Sequence, residues 1–131
     1  MTSPMTTIHG GCHCGAVRYR AELSEPLEAL RCNCSICAAC GFVHLIVAAR
    51  NFTLLTDPAA LSEYRFNSGV ARHLFCAQCG IKSYYVPRSN PDGISLNLNC
   101  IEERGQLDVR ISDFDGQNWE AHAASLQHLS A

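Results

Sequence analysis

The sequence predicts one mainly β domain, and three observations support this fold class. The chain has 131 residues, which suits a single domain and leaves little room for two. Hydrophobic residues make up 47% of it and charged residues 17%, a composition typical of a folded globular chain. Short segments of alternating or β-branched residues recur along the chain, whereas helical spacing is rare. Many short strands and few helices are typical of an antiparallel β architecture.

Local residue patterns predict the strands in chain order. Met1–Thr7 is small and polar, so we expect a flexible terminus and a single domain that spans residues 8–131. Ala16–Glu22 alternates apolar and charged residues, as a half-buried strand does, and Glu25-Pro26 then marks a turn. Leu30–Cys32 leads into the second cysteine motif. Apolar, β-branched or alternating segments predict the other strands at Phe42–Ala48, Phe52–Thr56, Leu61–Phe66, Val70–Phe75, Ile81–Val86, Ile94–Leu98 and Leu107–Ile111.

A hairpin and two short helices complete the predicted secondary structure. Leu61–Phe66 and Val70–Phe75 flank Asn67-Ser68-Gly69, a set of turn formers that predicts a hairpin. Ser35–Ala39 is expected to form one helical turn. Asn118–Leu129 carries apolar residues at helical spacing, which predicts a short C-terminal helix.

Charge and hydropathy argue against two classes of partner. The longest apolar run, Leu45–Ala49, is far shorter than the roughly 20 residues that span a bilayer, so no membrane partner is expected. The formal net charge is −2 and leaves no basic surplus for phosphates, so no nucleic acid partner is expected. The first residues carry neither a basic nor an apolar signal region, so we expect a cytoplasmic protein.

Nine cysteines are the strongest functional signal in the sequence. Where no export signal is predicted, clustered cysteines indicate metal binding before disulfides. Cys100 stands alone. The other eight form three tight motifs, which are C-x-C at Cys12 and Cys14, C-x-C-x-x-C-x-x-C at Cys32, Cys34, Cys37 and Cys40, and C-x-x-C at Cys76 and Cys79.

The spacing fits two metal sites. The first has four cysteine ligands, and the second has either three or four. The C-x-C and C-x-x-C motifs together fit a tetrahedral zinc held by four thiolates. Cys32, Cys34 and Cys37 then form a separate trio, and three protein ligands with an open position are the arrangement of catalytic zinc. Cys40 offers a fourth sulfur that would close this second site, and the spacing alone does not decide between the two.

Three sequence stretches around these cysteines resemble one known family. They are GGCHCGAVRY, CNCSIC and HLFCAQCGIKSYY, in this order. The set is similar to the motifs of the glutathione-dependent formaldehyde-activating enzyme family, which includes the centromere protein V group, over roughly residues 9–101. The resemblance implies an Mss4-like fold, or β-tent, in which two antiparallel sheets carry zinc-binding knuckles at their edge.

The resemblance also implies metal ligands and an activity. A carbon–sulfur lyase would form or cleave a thiol–carbonyl adduct such as S-hydroxymethylglutathione. Its substrates would be a small-molecule thiol such as glutathione and an aldehyde such as formaldehyde, and it would work as a monomer or homodimer with two zinc ions per chain. The implied structural zinc ligands are Cys12, Cys14, Cys76 and Cys79. The implied ligands of the second, catalytic zinc are Cys32, Cys34 and Cys37.

Two other functions remain open on the sequence. A non-catalytic zinc-binding module of the same fold would bind a protein partner, and Cys40 favours it because a fourth sulfur would close the second site. A redox enzyme of the B-type methionine-sulfoxide reductase kind would need a thiol nucleophile, for which Cys100 is the candidate.

Arginines are candidate partners of an acidic substrate. Two zinc ions that displace seven thiol protons would change the formal charge from −2 to about −5, so a tripeptide with carboxylates would need local cations. Arg65, Arg72 and Arg88 lie beside the predicted hairpin and the following loop, and their planar guanidinium groups suit carboxylates. The simpler interpretation of each is a solvated surface residue.

Histidine and tyrosine side chains near the motifs add further candidates. His44 follows the trio closely and is either a general base, a metal ligand or a hydrogen-bonded strand histidine. Tyr84 and Tyr85 are adjacent in a predicted strand, so we expect one to face the core and one to face outward.

Overall fold

The predicted mainly β architecture is confirmed by a computed structural model. It describes residues 5–65, 69–87, 90, 92–115 and 129. One α-helix in this part, α1, spans Ser35–Cys40. The strands are β1 (Met5–Gly11), β2 (Arg18–Ser24), β3 (Leu27–Cys32), β4 (Val43–Ala48), β5 (Phe52–Leu54), β6 (Leu61–Tyr64), β7 (His73–Cys76), β8 (Tyr84–Tyr85), β9 (Gly93–Asn97) and β10 (Val109–Phe114).

Two larger sheets and one hairpin organise these strands. The first sheet has the order β1-β2-β5 and the second the order β10-β3-β4-β9-β8, while β6 and β7 pair with each other as predicted. Neighbours pair antiparallel except β10, which runs parallel to β3. A parallel neighbour needs a long connection instead of a tight turn, and β10 follows β3 after more than half of the chain.

Alternation within the strands places the core between the two larger sheets. In β2 the side chains of Tyr19, Ala21 and Leu23 are buried and the charged residues between them are exposed, as the sequence predicts. The ring of Tyr19 lies 5.2 Å from that of Phe52 and 5.8 Å from that of Tyr84, measured between centroids. These three rings therefore join β2 and β5 of the first sheet to β8 of the second.

Some predicted boundaries differ from those of the structure. β1 begins at Met5, inside the segment expected to be a flexible terminus, because Met5, Thr6 and Thr7 pair with the end of β2. The strand predicted at Ile81–Val86 is reduced to the two residues of β8. The carbonyl of Ile81 accepts a hydrogen bond from the backbone N–H of Cys76 in the C-x-x-C turn and is therefore not used in pairing with β9.

Parts of two other predictions lie outside the described residues. Of the predicted helix Asn118–Leu129, only Leu129 is described, and of the hairpin turn only Gly69. In the described part of the chain, no helix combines the length and the apolar character that a membrane span requires.

Candidate metal centres and active site

Four cysteine sulfurs from two distant parts of the chain meet at one place. Cys12 and Cys14 follow β1, while Cys76 ends β7 and Cys79 lies in the turn after it. All four Sγ atoms lie within 4.8 Å of one another. The Sγ atom of Cys14 is 3.6 Å from that of Cys12 and 3.6 Å from that of Cys76. The structure thus brings together the four residues that the sequence predicts as one closed site.

These distances match what a tetrahedral metal requires. A zinc ion with Zn–S bonds of about 2.3 Å would hold its sulfurs about 3.8 Å apart, close to the two distances of 3.6 Å. Four thiolates are also the donor set that zinc uses in structural sites. The four cysteines therefore fit a closed zinc site.

Backbone geometry explains why the chain turns its sulfurs inward here. The backbone N–H of Val17 donates to Cys12 Sγ at 3.2 Å, and those of Gln78 and Cys79 donate to Cys76 Sγ at 3.4 Å each. Gly80, directly after the C-x-x-C, has a φ of +79°, a left-handed conformation that favours glycine. Such N–H···S contacts favour thiolates, and that of the Cys14 amide contributes most to lowering the pKa of Cys79 to about 6.

The second cysteine group, here called the trio, consists of Cys32, Cys34 and Cys37. Cys32 ends β3, Cys34 directly precedes α1, and Cys37 is a buried residue of that helix. Their Sγ atoms lie within 4.8 Å of one another. The short β3–α1 connection therefore produces the grouping locally, without help from distant elements.

The trio is arranged to hold a cation. Thiol hydrogen bonds from Cys32 and Cys37 keep the pKa of the Cys34 thiol far below its ordinary value, whereas the pKa values of Cys32 and Cys37 are raised. One sulfur thus carries negative charge and its two neighbours share their protons with it. A metal ion that replaced these protons would be bound by three thiolates, a donor set that suits zinc.

Cys40 does not belong to the trio. It is the exposed last residue of α1, and among the described residues the metal-ligating group at this site contains Cys32, Cys34 and Cys37 alone. The helix ends at Gly41, whose left-handed conformation turns the chain toward β4. In this structure the geometry favours three ligands over four.

A group of buried polar and aromatic side chains, here called the pocket, lies near the trio. Lys82 is buried, and its Nζ lies 2.7 Å from Nδ1 of His73 and 4.0 Å from the ring centroid of Tyr85. The ring of His73 stacks on that of Tyr85 at a centroid distance of 5.0 Å. The side chain of Tyr85, over whose ring Lys82 lies, also interacts directly with the Cys37 side chain, so the pocket adjoins the trio.

His44 lies in the same pocket with one ring nitrogen unpartnered. Its Nδ1 is 3.0 Å from Ser95 Oγ and 3.3 Å from Tyr85 Oη. Its Nε2 is buried and has no hydrogen-bond partner among the described residues. Burial, and then the charge of Lys82, lowers the pKa of His44 to about 4, so the ring is neutral at neutral pH. His44 is thus a pocket histidine that lies outside the metal-ligating group of the trio.

Other predicted candidates lie apart from this pocket or outside the described residues. Arg65 and Arg72 both pair with Glu63, with Nε–O distances of 2.9 and 2.5 Å, so they support the β6–β7 hairpin. Arg88 is outside the described residues. Cys100 is half-buried, and burial raises the pKa of its thiol, which is the opposite of what a reactive nucleophile needs.

Sequence reasoning missed most of the pocket. It singled out His44, but gave no role to Lys82 or His73. It also expected Tyr84 and Tyr85 to divide between core and solvent, and this was wrong because both are buried. Tyr84 packs in the core and Tyr85 faces the pocket. The two side chains therefore point to opposite faces of β8, as expected for a strand, but the pocket covers the face that was expected to meet solvent. One available signal was that Lys82 is the sole lysine of the chain.

The fold and the site together define a class of protein. A small, mainly β chain with two cysteine groups fit for metal, one of four sulfurs and one of three, is characteristic of metal-binding β domains rather than of disulfide-linked ones.

Comparison with known proteins identifies the family. The sequence model of the glutathione-dependent formaldehyde-activating enzyme family matches residues 7–117. The chain therefore belongs to this family, as its motifs indicate.

Two known proteins are similar to this chain. A curated protein of Halomonas elongata, which carries the name of this enzyme as a provisional assignment, is 53% identical over 30 residues. That match covers 23% of this chain and about a fifth (19%) of the relative. The crystal structure of a Rhodobacter sphaeroides protein is similar with a TM-score of 0.69 and 31% identity, covering 79% of this chain and 99% of that one.

Proposed function

We propose that the protein is a zinc-dependent carbon–sulfur lyase of the glutathione-dependent formaldehyde-activating type. It would form or cleave an adduct between a small-molecule thiol such as glutathione and an aldehyde such as formaldehyde. Cys12, Cys14, Cys76 and Cys79 would hold a structural zinc, and the trio would hold the zinc of the active site. Membership in the family supports this reaction class.

One observation carries the proposal. The trio gathers three sulfurs within 4.8 Å, and no fourth metal-ligating side chain joins them among the described residues. A structural zinc is normally closed by four protein ligands, whereas a catalytic zinc keeps one position for the substrate. Three ligands beside a buried polar pocket therefore favour catalysis over a purely structural role.

The chemistry requires a thiolate beside an electrophilic carbon. A free thiol has a pKa of about 8.5 and is mostly protonated at neutral pH. Zinc held by the trio would supply a position at which a substrate thiol is deprotonated. Cys32, Cys34 and Cys37 bind through sulfur and so leave the remaining chemistry to the side chains of the pocket.

The pocket walls limit access of water to the reacting atoms. Phe42, His44 and Tyr85 are each less than 10% exposed, and their rings contact one another with centroid distances of 4.6 to 5.5 Å. Exclusion of water strengthens electrostatic interactions in the pocket and disfavours competing hydration of an aldehyde. The unpartnered Nε2 of His44 is suited to a polar atom that the substrate brings.

The test compares two cysteine variants with the wild type. Cys34→Ser should leave about one zinc per chain instead of two and lower the rate of adduct formation at least about 100-fold, because the site loses a ligand. The matched control is Cys100→Ser, which removes a half-buried thiol outside both groups and should keep both zinc ions and the activity. Zinc is measured by elemental analysis, and adduct formation by NMR with ¹³C-formaldehyde and glutathione.

The same experiment separates the proposal from its main alternative. Full activity of Cys34→Ser would contradict the proposed active site. A wild-type protein with two zinc ions per chain that does not accelerate adduct formation would instead favour a non-catalytic module that binds a protein partner.

A further inference from the structure

Lys82 is a buried cation without a carboxylate partner. It is 9% exposed, and none of the ion pairs in the described part of the chain includes it. Burial of an ammonium group costs free energy unless charges or hydrogen bonds compensate for it. A residue needed only for packing would be served better by leucine or methionine, so the retained charge calls for a functional explanation.

Three aromatic rings hold the ammonium group of Lys82 in place. Its Nζ lies 2.7 Å from His73 Nδ1, 4.0 Å from the ring centroid of Tyr85 and 5.2 Å from that of Phe42. An ammonium group has three N–H donors, and His73 accepts one. At least one other N–H is therefore available to a substrate atom.

The trio supplies the negative charge that this cation faces. Burial lowers the pKa of Lys82, and the sulfurs of Cys37 and Cys34 in the trio, together with that of Cys40 beside it, act in the opposite direction. Lys82 thus lies in the field of the three-sulfur site, where the reacting thiol would be bound. A cation here would meet negative charge that develops beside the trio.

We propose that Lys82 is the catalytic proton donor for the oxygen atom of the thiol–aldehyde adduct, with His73 as its positioning residue. This inference rests on the proposed function. It assigns a role in that reaction to a side chain outside the metal-ligating cysteines.

The proposed step balances without an oxidant or reductant. The sulfur of the substrate thiolate attacks the carbonyl carbon, so a C–S bond forms and the π electron pair of the C=O bond moves to oxygen. The ammonium N–H of Lys82 breaks as its proton passes to this oxygen, which gives the hydroxymethyl thioether and a neutral amine. The amine regains the proton that the thiol lost on binding. In the reverse direction, the amine takes the hydroxyl proton as the C–S bond breaks.

Three substitutions of Lys82 test this role. Lys82→Met keeps the length of the side chain and should lower kcat about 100-fold with a smaller change of KM and an unchanged zinc content. Lys82→Arg keeps the charge but is a poor proton donor, so it should remain slow. The activity of Lys82→Ala should rise with the concentration of added methylammonium, which replaces the missing donor. The control Arg20→Ala removes one exposed positive charge and should not change kcat.

The outcomes are distinguishable. Wild-type kcat in Lys82→Met or in Lys82→Arg would overturn proton donation, and restoration by arginine alone would show that the positive charge suffices. Loss of zinc in all three variants, without rescue by methylammonium, would show a structural role and also overturn the inference. If the wild-type protein itself does not accelerate adduct formation, the proposed function fails and this inference fails with it.

Discussion

At the scale of single residues, local backbone geometry decides which cysteines become candidate ligands. Cys32, Cys34 and Cys37 converge because one strand end and the first turn of α1 follow each other directly. Cys40 lies one helical turn further on and is exposed. A spacing pattern predicts the first three well, because their contact depends on a few consecutive residues. It does not place the fourth, whose direction depends on where α1 ends.

Substitution of Cys40 tests this difference directly. We expect Cys40→Ser to keep two zinc ions per chain, because the sulfur of Cys40 lies outside the trio. Elemental analysis of zinc, after purification under reducing conditions, measures this. Loss of one zinc ion would mean that Cys40 closes the second site, and the non-catalytic module would then be the better description.

The surroundings of Lys82 could not be predicted from local sequence patterns. Its pocket combines Phe42 and His44, in and just before β4, with His73, Lys82 and Tyr85, which lie in or between β7 and β8. These two parts of the chain are well separated in the sequence. Their meeting depends on the order in which the strands pair, and no local spacing encodes that order. The grouping of the cysteines was therefore predictable from the sequence, whereas the pocket beside them was not.

At the scale of elements, an aromatic cluster joins the two larger sheets. Tyr19 of β2 contacts Phe52 of β5 and Tyr84 of β8, and its side chain is completely buried. Its hydroxyl group has no hydrogen-bond partner among the described residues. The ring therefore stabilises the fold, whereas the hydroxyl group carries a desolvation cost without compensation.

Two substitutions of Tyr19 separate these contributions. Tyr19→Phe should leave the free energy of unfolding unchanged or raise it by about 1 kcal/mol, because it removes an unpaired buried hydroxyl group. Tyr19→Ala should lower it by about 3–5 kcal/mol, because it removes the ring that joins the sheets. Urea denaturation of the zinc-loaded proteins measures both. A clear loss of stability in Tyr19→Phe would show that the hydroxyl group has a partner.

The strands themselves were predicted from alternation, and the differences have physical causes. β2 and β4 lie close to their predicted bounds because their buried residues follow a clear pattern. β8 is shorter than predicted because the carbonyl of Ile81, directly after the C-x-x-C, accepts a hydrogen bond from the Cys76 backbone N–H instead of pairing with β9. The parallel pairing of β10 with β3 has no sequence signal, since parallel and antiparallel edge strands present the same residues.

At the scale of the whole molecule, the two cysteine groups have different relations to the fold. The four-sulfur group links the end of β1 to the end of β7, so a metal there would connect distant parts of the chain. The trio joins only β3 and α1, which follow each other in the chain. A metal ion there would therefore add little to holding the fold together. We therefore propose that the four-sulfur site is closed and connects distant segments of the fold, and that the trio is an open site which the fold positions.

Cobalt substitution distinguishes an open from a closed site, because cobalt reports on the ligands of each site through its absorption spectrum. We expect two cobalt ions per chain, with glutathione changing the sulfur–cobalt charge-transfer absorption of the trio. Cys34→Ser should bind one cobalt ion and should not respond to glutathione. One cobalt ion per wild-type chain, or two whose absorption glutathione leaves unchanged, would contradict an open site that takes thiols.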